Sequence, residues 1–354
     1  MIERSSKVTS PGDPSTQRPL VGAGGPGTAS RFATVMNCIA YREGKRFRSI
    51  TLDEISEVLK QEDTFVWLGL RELDNDLLAR IQQEFGLHEL AVEDTRSAHQ
   101  RPKLEEYGDC LFVVLHTAQL SDEGVRFGET HVFVGKRFLV SIRHRSTLSY
   151  SKVRERCETV PERLARGPGF GLYALMDFIV DNYRPVVDGL HQRLQVLEAD
   201  IFKGRFSREI LEQLYELKGE LLLLREATEP LIDVCNDLMH VHPEIIPKDI
   251  RIYFRDISDH VKRINQAIDR MREMLTAAMQ VHLTMVTVKQ NEVVKRLAGW
   301  GAILALPTMV FSLYGMNFKY MPELEWQLSY PLIMGGTIAG CVLLYLRLKR
   351  VGWL

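Results

Sequence analysis

The sequence predicts an α+β protein, in which a mixed α/β domain leads into a long helical stalk and two membrane-spanning helices. Three observations carry this. Strand-like runs are confined to the first 150 or so residues. From about residue 171 onward, apolar residues recur at three- and four-residue spacing. Two runs, residues 297–316 and 330–346, carry no charge, and each fits the roughly 17–25 residues that a helix needs to cross a bilayer.

The totals narrow the class. The 354 residues hold 45 Lys and Arg against 46 Asp and Glu, a net charge of −1. That balance lacks the basic excess of a nucleic-acid binder. The five cysteines, Cys38, Cys110, Cys157, Cys235 and Cys341, are scattered without a C-x-x-C pair. They read as inert thiols of a reducing compartment. Residues 1–31 are rich in Ser, Pro, Gly and Thr, and are expected to be a disordered tail, not a signal peptide.

The α/β domain is expected over 32–150. Residues 33–40 and 64–68 have strand composition. Residues 53–59 and 74–85 have helical spacing with Asp or Asn caps. Residues 111–116 read as a buried strand, and 129–134 and 137–142 as a hairpin around Gly135-Lys136. The stalk is expected over 151–290. Residues 172–202 form one helix with a kink at Pro185. Ser207 caps a second, running to about residue 239. A third begins near Lys248 and continues without a break to Met316, close to 70 residues or about 100 Å at 1.5 Å per residue.

The pore domain is expected over 291–354, with a first membrane helix at 297–316, an outer loop at 317–329 and a second helix at 330–346. Lys295 and Arg296 precede the first helix, and Arg347, Lys349 and Arg350 follow the second. The positive-inside rule therefore puts both termini in the cytoplasm and the loop outside. Trp326 and Trp353 suit the two interfaces.

Along the first membrane helix, Asn291, Val294, Leu297, Gly301, Ala305, Thr308, Ser312 and Gly315 form one stripe. Above Leu297 the stripe is small or hydroxylated. Such a stripe serves either tight helix packing or the wall of a narrow pore. Two helices per chain cannot enclose a pore, so the second reading requires an oligomer. Below the membrane, Gln280, Thr284 and Thr287 continue the stripe as polar, uncharged positions, either a wetted channel or a solvated face. Leu297 would form an apolar constriction that gates by dewetting. At the outer end, Gly315-Met316-Asn317 ends the helix, where orphan carbonyls and the helix dipole attract a cation. Uncharged oxygen donors suit Mg²⁺, which sheds its water reluctantly. Isolated, such a tripeptide is ordinarily a C-terminal turn.

Tyr314-Gly-Met-Asn-Phe318, Met321-Pro-Glu-Leu324, Tyr330-Pro331 and a basic stretch ending Trp353-Leu354 together resemble the CorA family of magnesium and cobalt transport proteins. So do His88-Glu-Leu-Ala-Val-Glu-Asp94, Gln100-Arg-Pro-Lys-Leu-Glu-Glu-Tyr107, Tyr253-Phe-Arg-Asp256 and Asn291-Glu292. The resemblance spans residues 33–354. It implies a homopentameric inner-membrane channel for Mg²⁺, with Co²⁺ or Ni²⁺, lined by the first membrane helix. Gly315, Met316 and Asn317 would be the selectivity filter, and Glu323 would lie in the outer loop. It also implies regulation by cytosolic Mg²⁺ held between protomers at Asp94 and Asp256, with Glu93 adjacent. Thr95-Arg-Ser97 and Gln280 depart from the family pattern. The runner-up is zinc movement, as in the related ZntB group; a membrane-anchored scaffold that conducts nothing is the alternative from another class. No P-loop or catalytic constellation is present, so an enzyme is not expected.

Overall fold

A computed structural model describes residues 34–97, 100–146, 148–204, 207–241, 243–316 and 321–354. The expected tail lies outside them. The first half of the chain is built from β1 (Thr34–Arg42), β2 (Lys45–Ser49), α1 (Ile55–Val58), β3 (Thr64–Arg71), α2 (Asn75–Phe85), α3 (Glu89–Arg96), β4 (Lys103–Tyr107), β5 (Cys110–Ser121), β6 (Gly124–Gly135) and β7 (Phe138–His144). The strands form one seven-stranded sheet in the order β2-β1-β3-β7-β6-β5-β4. Every neighbouring pair is antiparallel except β3 and β7, which run parallel.

Strand alternation divides the sheet's side chains between two cores. Val66, Leu68, Phe112, Val114, Phe133 and Val140 face one side, where they meet Leu78, Ile81 and Phe85 of α2 and Ala91 and Val92 of α3. Their neighbours Phe65, Trp67, Leu111, Val113, Val132 and Leu139 face the other side and the long helices. Burial on both faces explains why these strands read as nearly continuous apolar runs. The local signals hold where they were expected. Asp74 caps α2 by accepting the backbone N–H of Leu77 at 2.7 Å, and α2 ends at Gly86, whose φ of +64° favours glycine. Helix 53–59 is instead a 3₁₀ turn, Leu52–Glu54, running into α1. Its cap is Thr51, whose backbone N–H and hydroxyl both donate to Glu54 Oε2, at 2.8 and 3.1 Å.

The second half contains α4 (Ser151–Glu158), α5 (Pro161–Leu164), α6 (Pro168–Phe202), α7 (Arg208–Thr228), α8 (Leu231–Leu238), α9 (Arg251–Tyr314) and α10 (Ser329–Val351). α6 runs through Pro185 as one helix. Ser207 caps α7, accepting from Ile210 N at 3.4 Å. The expected single helix to residue 239 is two: the missing N–H of Pro230 ends α7 and starts α8. α9 has 64 residues, about 96 Å long. Its first half is a core helix, burying Phe254, Ile257, Val261, Ile268, Met271, Leu275 and Ala278 at three- and four-residue intervals, apart from one step of seven. This core is continuous with the sheet-facing one, so the strands and the stalk share apolar contacts. The five cysteines are free. Burial pushes the thiols of Cys38, Cys110, Cys157 and Cys235 up to about 12.

One polar feature of the sheet is acid-sensitive. His131 and His144 lie ring to ring on β6 and β7 with centroids 4.8 Å apart, and His131 Nδ1 and His144 Nε2 are buried without a hydrogen-bond partner. Burial, then repulsion from His131, depresses His144 to about 4. The unfolded imidazole titrates near 6.5, so between about pH 6.5 and 4 the unfolded chain binds a proton that the folded chain refuses. The contribution is intact above that window and is lost as pH falls through it, by at most about 3 kcal/mol. Thermal unfolding of the full-length protein in detergent at pH 7.5 and pH 5 is expected to show a lower Tm at pH 5. His144→Gln is expected to shrink that difference; an unchanged difference would show that His144 does not carry it.

Candidate ion pathway and regulatory carboxylates

α9 leaves the shared core after His282. Every residue from 283 to 298 is exposed, including Leu283, Val286, Val288, Val293, Val294 and Leu297. At 1.5 Å per residue this is about 24 Å of helix bearing apolar side chains in the open. Above it, α9 and α10 run antiparallel as two helices long and apolar enough to cross a membrane. Their pairing descends in order. Gly299 packs against Leu354, the Trp300 and Tyr345 rings lie 6.3 Å apart, and Leu306 approaches Gly340. Leu304, Met309, Ile338 and Leu343 point away from both helices, at 58–78% exposure. Side chains of this kind belong in hydrocarbon.

The pairing decides what the small stripe is not doing. Within the pair, Leu354 covers Gly299 and α10 lies along the face of α9 that holds 303, 306, 310 and 314; with Pro307 these are the least exposed residues of this segment. At 100° per residue, Gly301, two positions from Gly299, is turned about 200° from it. The stripe Asn291, Val294, Leu297, Gly301, Ala305, Thr308 and Ser312 therefore lies on the face opposite α10, exposed throughout, and a Cβ on Gly301 would meet nothing. Tight packing within the chain is not the stripe's role. The hydroxyl of Thr308 donates to Leu304 O at 2.8 Å, that of Thr284 to Gln280 O at 2.8 Å and that of Thr287 to Leu283 O at 3.0 Å. Each proton is used within the helix, which leaves the oxygen as an acceptor for water or a hydrated cation.

At the outer end, α9 stops at Tyr314. Gly315 N donates to Phe311 O at 2.9 Å, and Gly315 is right-handed at φ −82°. It is therefore not the left-handed glycine of an ordinary helix C-terminus. Met316 follows, half exposed. Asn317 lies outside the described residues, as does the side chain of Glu323, whose backbone forms the 3₁₀ turn Pro322–Glu325.

One contact was hidden in the sequence. Pro307 has no N–H, which frees the carbonyl of Ile303 four residues back. Cys341 Sγ on α10 donates to that carbonyl at 3.7 Å. In a membrane such a freed group must find a partner within the protein. The proline was visible in the sequence; its partner, on a different helix, was not.

The proposed regulatory residues stand apart in one chain. Asp94, on α3, pairs with Lys103 of β4 at 2.5 Å, and Lys103 also reaches Glu105 at 2.9 Å. Burial opposes the charge of Lys103, but its bonds to Asp94 and Glu105 outweigh that and hold it above the usual value. Glu93 is exposed beside it. Asp256 is on α9, 4.0 Å from His260 Nε2. Because α3 packs on one face of the sheet and α9 in the core of the other, the sheet separates the two aspartates. Among the described residues, no group of three or more His, Cys, Asp and Glu side chains is arranged to hold a metal ion within one chain. His240 Nδ1 bonds Asn236 O at 2.7 Å, and His242 lies outside the described residues.

This architecture is that of a two-helix membrane protein with a large α/β domain on one side of the bilayer. Residues 62–350 match the family model of the CorA-like Mg²⁺ transporter protein, and the chain belongs to that family. It is 30% identical, over 88% of its length and 90% of the relative's, to the cobalt/magnesium transport protein CorA of Thermotoga maritima. The complete structure of the CorA magnesium transporter from Methanocaldococcus jannaschii superposes with a TM-score of 0.74 at 20% identity, covering 91% of this chain and all of that one. The cytoplasmic domain of ZntB from Vibrio parahaemolyticus is a weaker likeness, with a TM-score of 0.53 over 64% of this chain.

The two glycines of the pair make opposite demands. Gly301→Leu is expected to leave Tm unchanged and to suppress ion flux. Gly340→Leu is expected to lower Tm, because its side chain collides with Leu306. Thermal unfolding and flux on the same preparations check this; a Tm loss confined to Gly301→Leu would place the stripe at a packing interface.

Proposed function

We propose that the chain is one subunit of a homopentameric channel that carries Mg²⁺, and with it Co²⁺ or Ni²⁺, into the cytoplasm across the inner membrane. The observation that carries this is the small and hydroxylated face of α9 that α10 leaves uncovered. Several copies of that face around an axis make a narrow, acceptor-lined passage, and the bare stretch 283–298 is then covered by its counterparts. Membrane lipid covers the outer faces of α9 and α10. Both termini are cytoplasmic, by the charge of Lys295, Arg296, Arg347, Lys349 and Arg350.

Residues 32–150 and 151–290 form the cytosolic funnel, and 291–354 form the pore. Gly315, Met316 and Asn317 select a hydrated divalent cation at the outer mouth by oxygen donors and helix-end dipoles. Leu297, 73% exposed in one chain, closes the inner end as an apolar ring. A membrane potential supplies roughly 4.6 kcal/mol per 100 mV for a doubly charged ion, which makes a second energy source unnecessary.

Cytosolic Mg²⁺ is the regulatory ligand in this reading. Asp94 of one subunit and Asp256 of the next repel until a divalent ion bridges them, with Glu93 at hand, and the bridge holds the closed state. The separation of the two aspartates within a chain supports a site made by two chains. The neutral Gln280 leaves fewer charged ligands along the stalk. Zinc movement is the weaker reading, because Gly315-Met316-Asn317 offers neither Cys nor His.

Mg²⁺ uptake into liposomes holding purified protein tests all of this. Wild type is expected to load Mg²⁺ and to shut down as internal Mg²⁺ rises. Asn317→Ala is expected to lose about tenfold or more, the worth of a hydrogen bond to a charged species. Asp94→Ala with Asp256→Ala is expected to keep conducting at high internal Mg²⁺. No flux through wild type would leave the non-conducting scaffold. Equal flux in Asn317→Ala would remove the filter assignment, and normal shutdown in the double variant would remove the sensor.

A further inference from the structure

The α/β domain holds a cavity that the ion pathway does not use. It lies on one face of the sheet, over Asn37 of β1 and the paired Gly69 and Ser141 of the parallel strands β3 and β7, beside the start of α4. About 230 Å³ in volume, it is lined among others by Asn37, Gly69, Ser141, Arg143, Ser151 and Arg154. Its chemistry is cationic. Arg143 is only 7% exposed. It donates to Leu148 O and lies over the Tyr150 ring, 5.4 Å from the centroid. It forms no ion pair with a carboxylate among the described residues. A guanidinium carries five N–H donors, and this one lines the cavity with one hydrogen bond to the backbone at Leu148 O. Taking such a charge out of water without a counter-charge is costly. Burial accordingly depresses its pKa.

Three further groups point the same way. Arg154 has a side chain 14% exposed, and its Nε is 4.0 Å from Glu158, a carboxylate that already accepts from Tyr41 at 2.7 Å. α4 begins at the cavity, with Ser149 and Ser151 hydroxyls 3.0 Å apart, and its N-cap Tyr150 supplies no side-chain bond to the first-turn amides. Those amides are the orphan donors that bind anions at helix N-termini. Asn37 Oδ1 is buried without a partner. Turning the amide would aim its NH₂ into the cavity, since the two orientations are interchangeable by shape. Gly69 keeps the space open, because a Cβ there would lie 3.1 Å from Asn37 Oδ1.

We propose that this cavity binds a phosphate group, either free inorganic phosphate or the terminal phosphate of a soluble phosphorylated metabolite. Two guanidiniums, two hydroxyls and a helix N-terminus line one small cavity, a donor-rich set that suits a tetrahedral dianion. At about 230 Å³ the cavity has room for one phosphate and its hydration. It falls below the roughly 300–1,000 Å³ of pockets that enclose drug-sized ligands, so anything beyond the phosphate stays outside.

Calorimetric titration of the full-length protein in detergent, without Mg²⁺, tests the proposal with inorganic phosphate and, separately, with ATP. Wild type is expected to bind inorganic phosphate saturably, once per chain. Arg154→Gln is expected to weaken binding about tenfold or more, with Tm unchanged. Arg143→Lys, which keeps the charge but loses the forked donors, is expected to weaken it too. Competition by ATP at equal stoichiometry would assign the site to a phosphorylated metabolite, and failure of ATP to compete would assign it to the free anion. No saturation by wild type at about 10 mM, a tenfold excess over a millimolar Kd, would overturn the proposal. So would wild-type affinity in both variants. Neither readout depends on ion transport.

Discussion

Helix α9 must satisfy two solvents along one backbone. Its first half lies in the protein core, where side chains at three- and four-residue spacing meet α6, α7 and α8. Its last turns lie in hydrocarbon, where every backbone group has to bond within the protein. A helix meets that demand by itself except at Pro307, and there Cys341 takes up the freed carbonyl. The rest follows from keeping this helix unbroken. The α/β domain is fastened to its lower half, α10 to one face of its upper half, and the face left bare is free to line a passage.

An unbroken helix also makes coupling physically reasonable. The Asp256 end and the Gly315 end belong to one rod of about 96 Å. Tilting the rod at its base moves Leu297 without any local unfolding. In the proposed function, an ion that fixed the base of one rod against the neighbouring α/β domain would act on a constriction at Leu297 through rigid geometry. Leu297 is suited to the task because it is apolar and uncovered within its own chain.

Much of this was legible in the sequence, for reasons that differ by element. No helix breaker stands between Lys248 and the first membrane run, so the length of α9 could be read to within a few residues. The apolar runs of β3, β5, β6 and β7 stood out because both of their faces are buried. β2 and β4, Lys-Arg-Phe-Arg-Ser and Lys-Leu-Glu-Glu-Tyr, went unread because edge strands carry charge. The break between α7 and α8 was hidden by apolar spacing that continues across Pro230. The stripe could be listed by residue, but setting aside packing within the chain required knowing which face α10 covers. The phosphate cavity was invisible, since Asn37, Arg143 and Arg154 are brought together only by the sheet and the turn into α4.

The most direct measurement asks whether water reaches the bare face of α9. Cys38, Cys110, Cys157 and Cys235 are buried, or half-buried in the case of Cys110, and burial raises their thiol pKa values. Their low reactivity leaves a quiet background, and Cys341→Ser keeps the donor to Ile303. On this background, Gly301→Cys, Ala305→Cys, Thr308→Cys and Ser312→Cys are each compared with Ile303→Cys, Leu306→Cys and Val310→Cys in liposomes, using a charged, membrane-impermeant thiol reagent. The first set is expected to react and the second to stay protected. Reaction at both sets alike, or protection of the first set while wild type conducts Mg²⁺, would contradict a pore lined by this face.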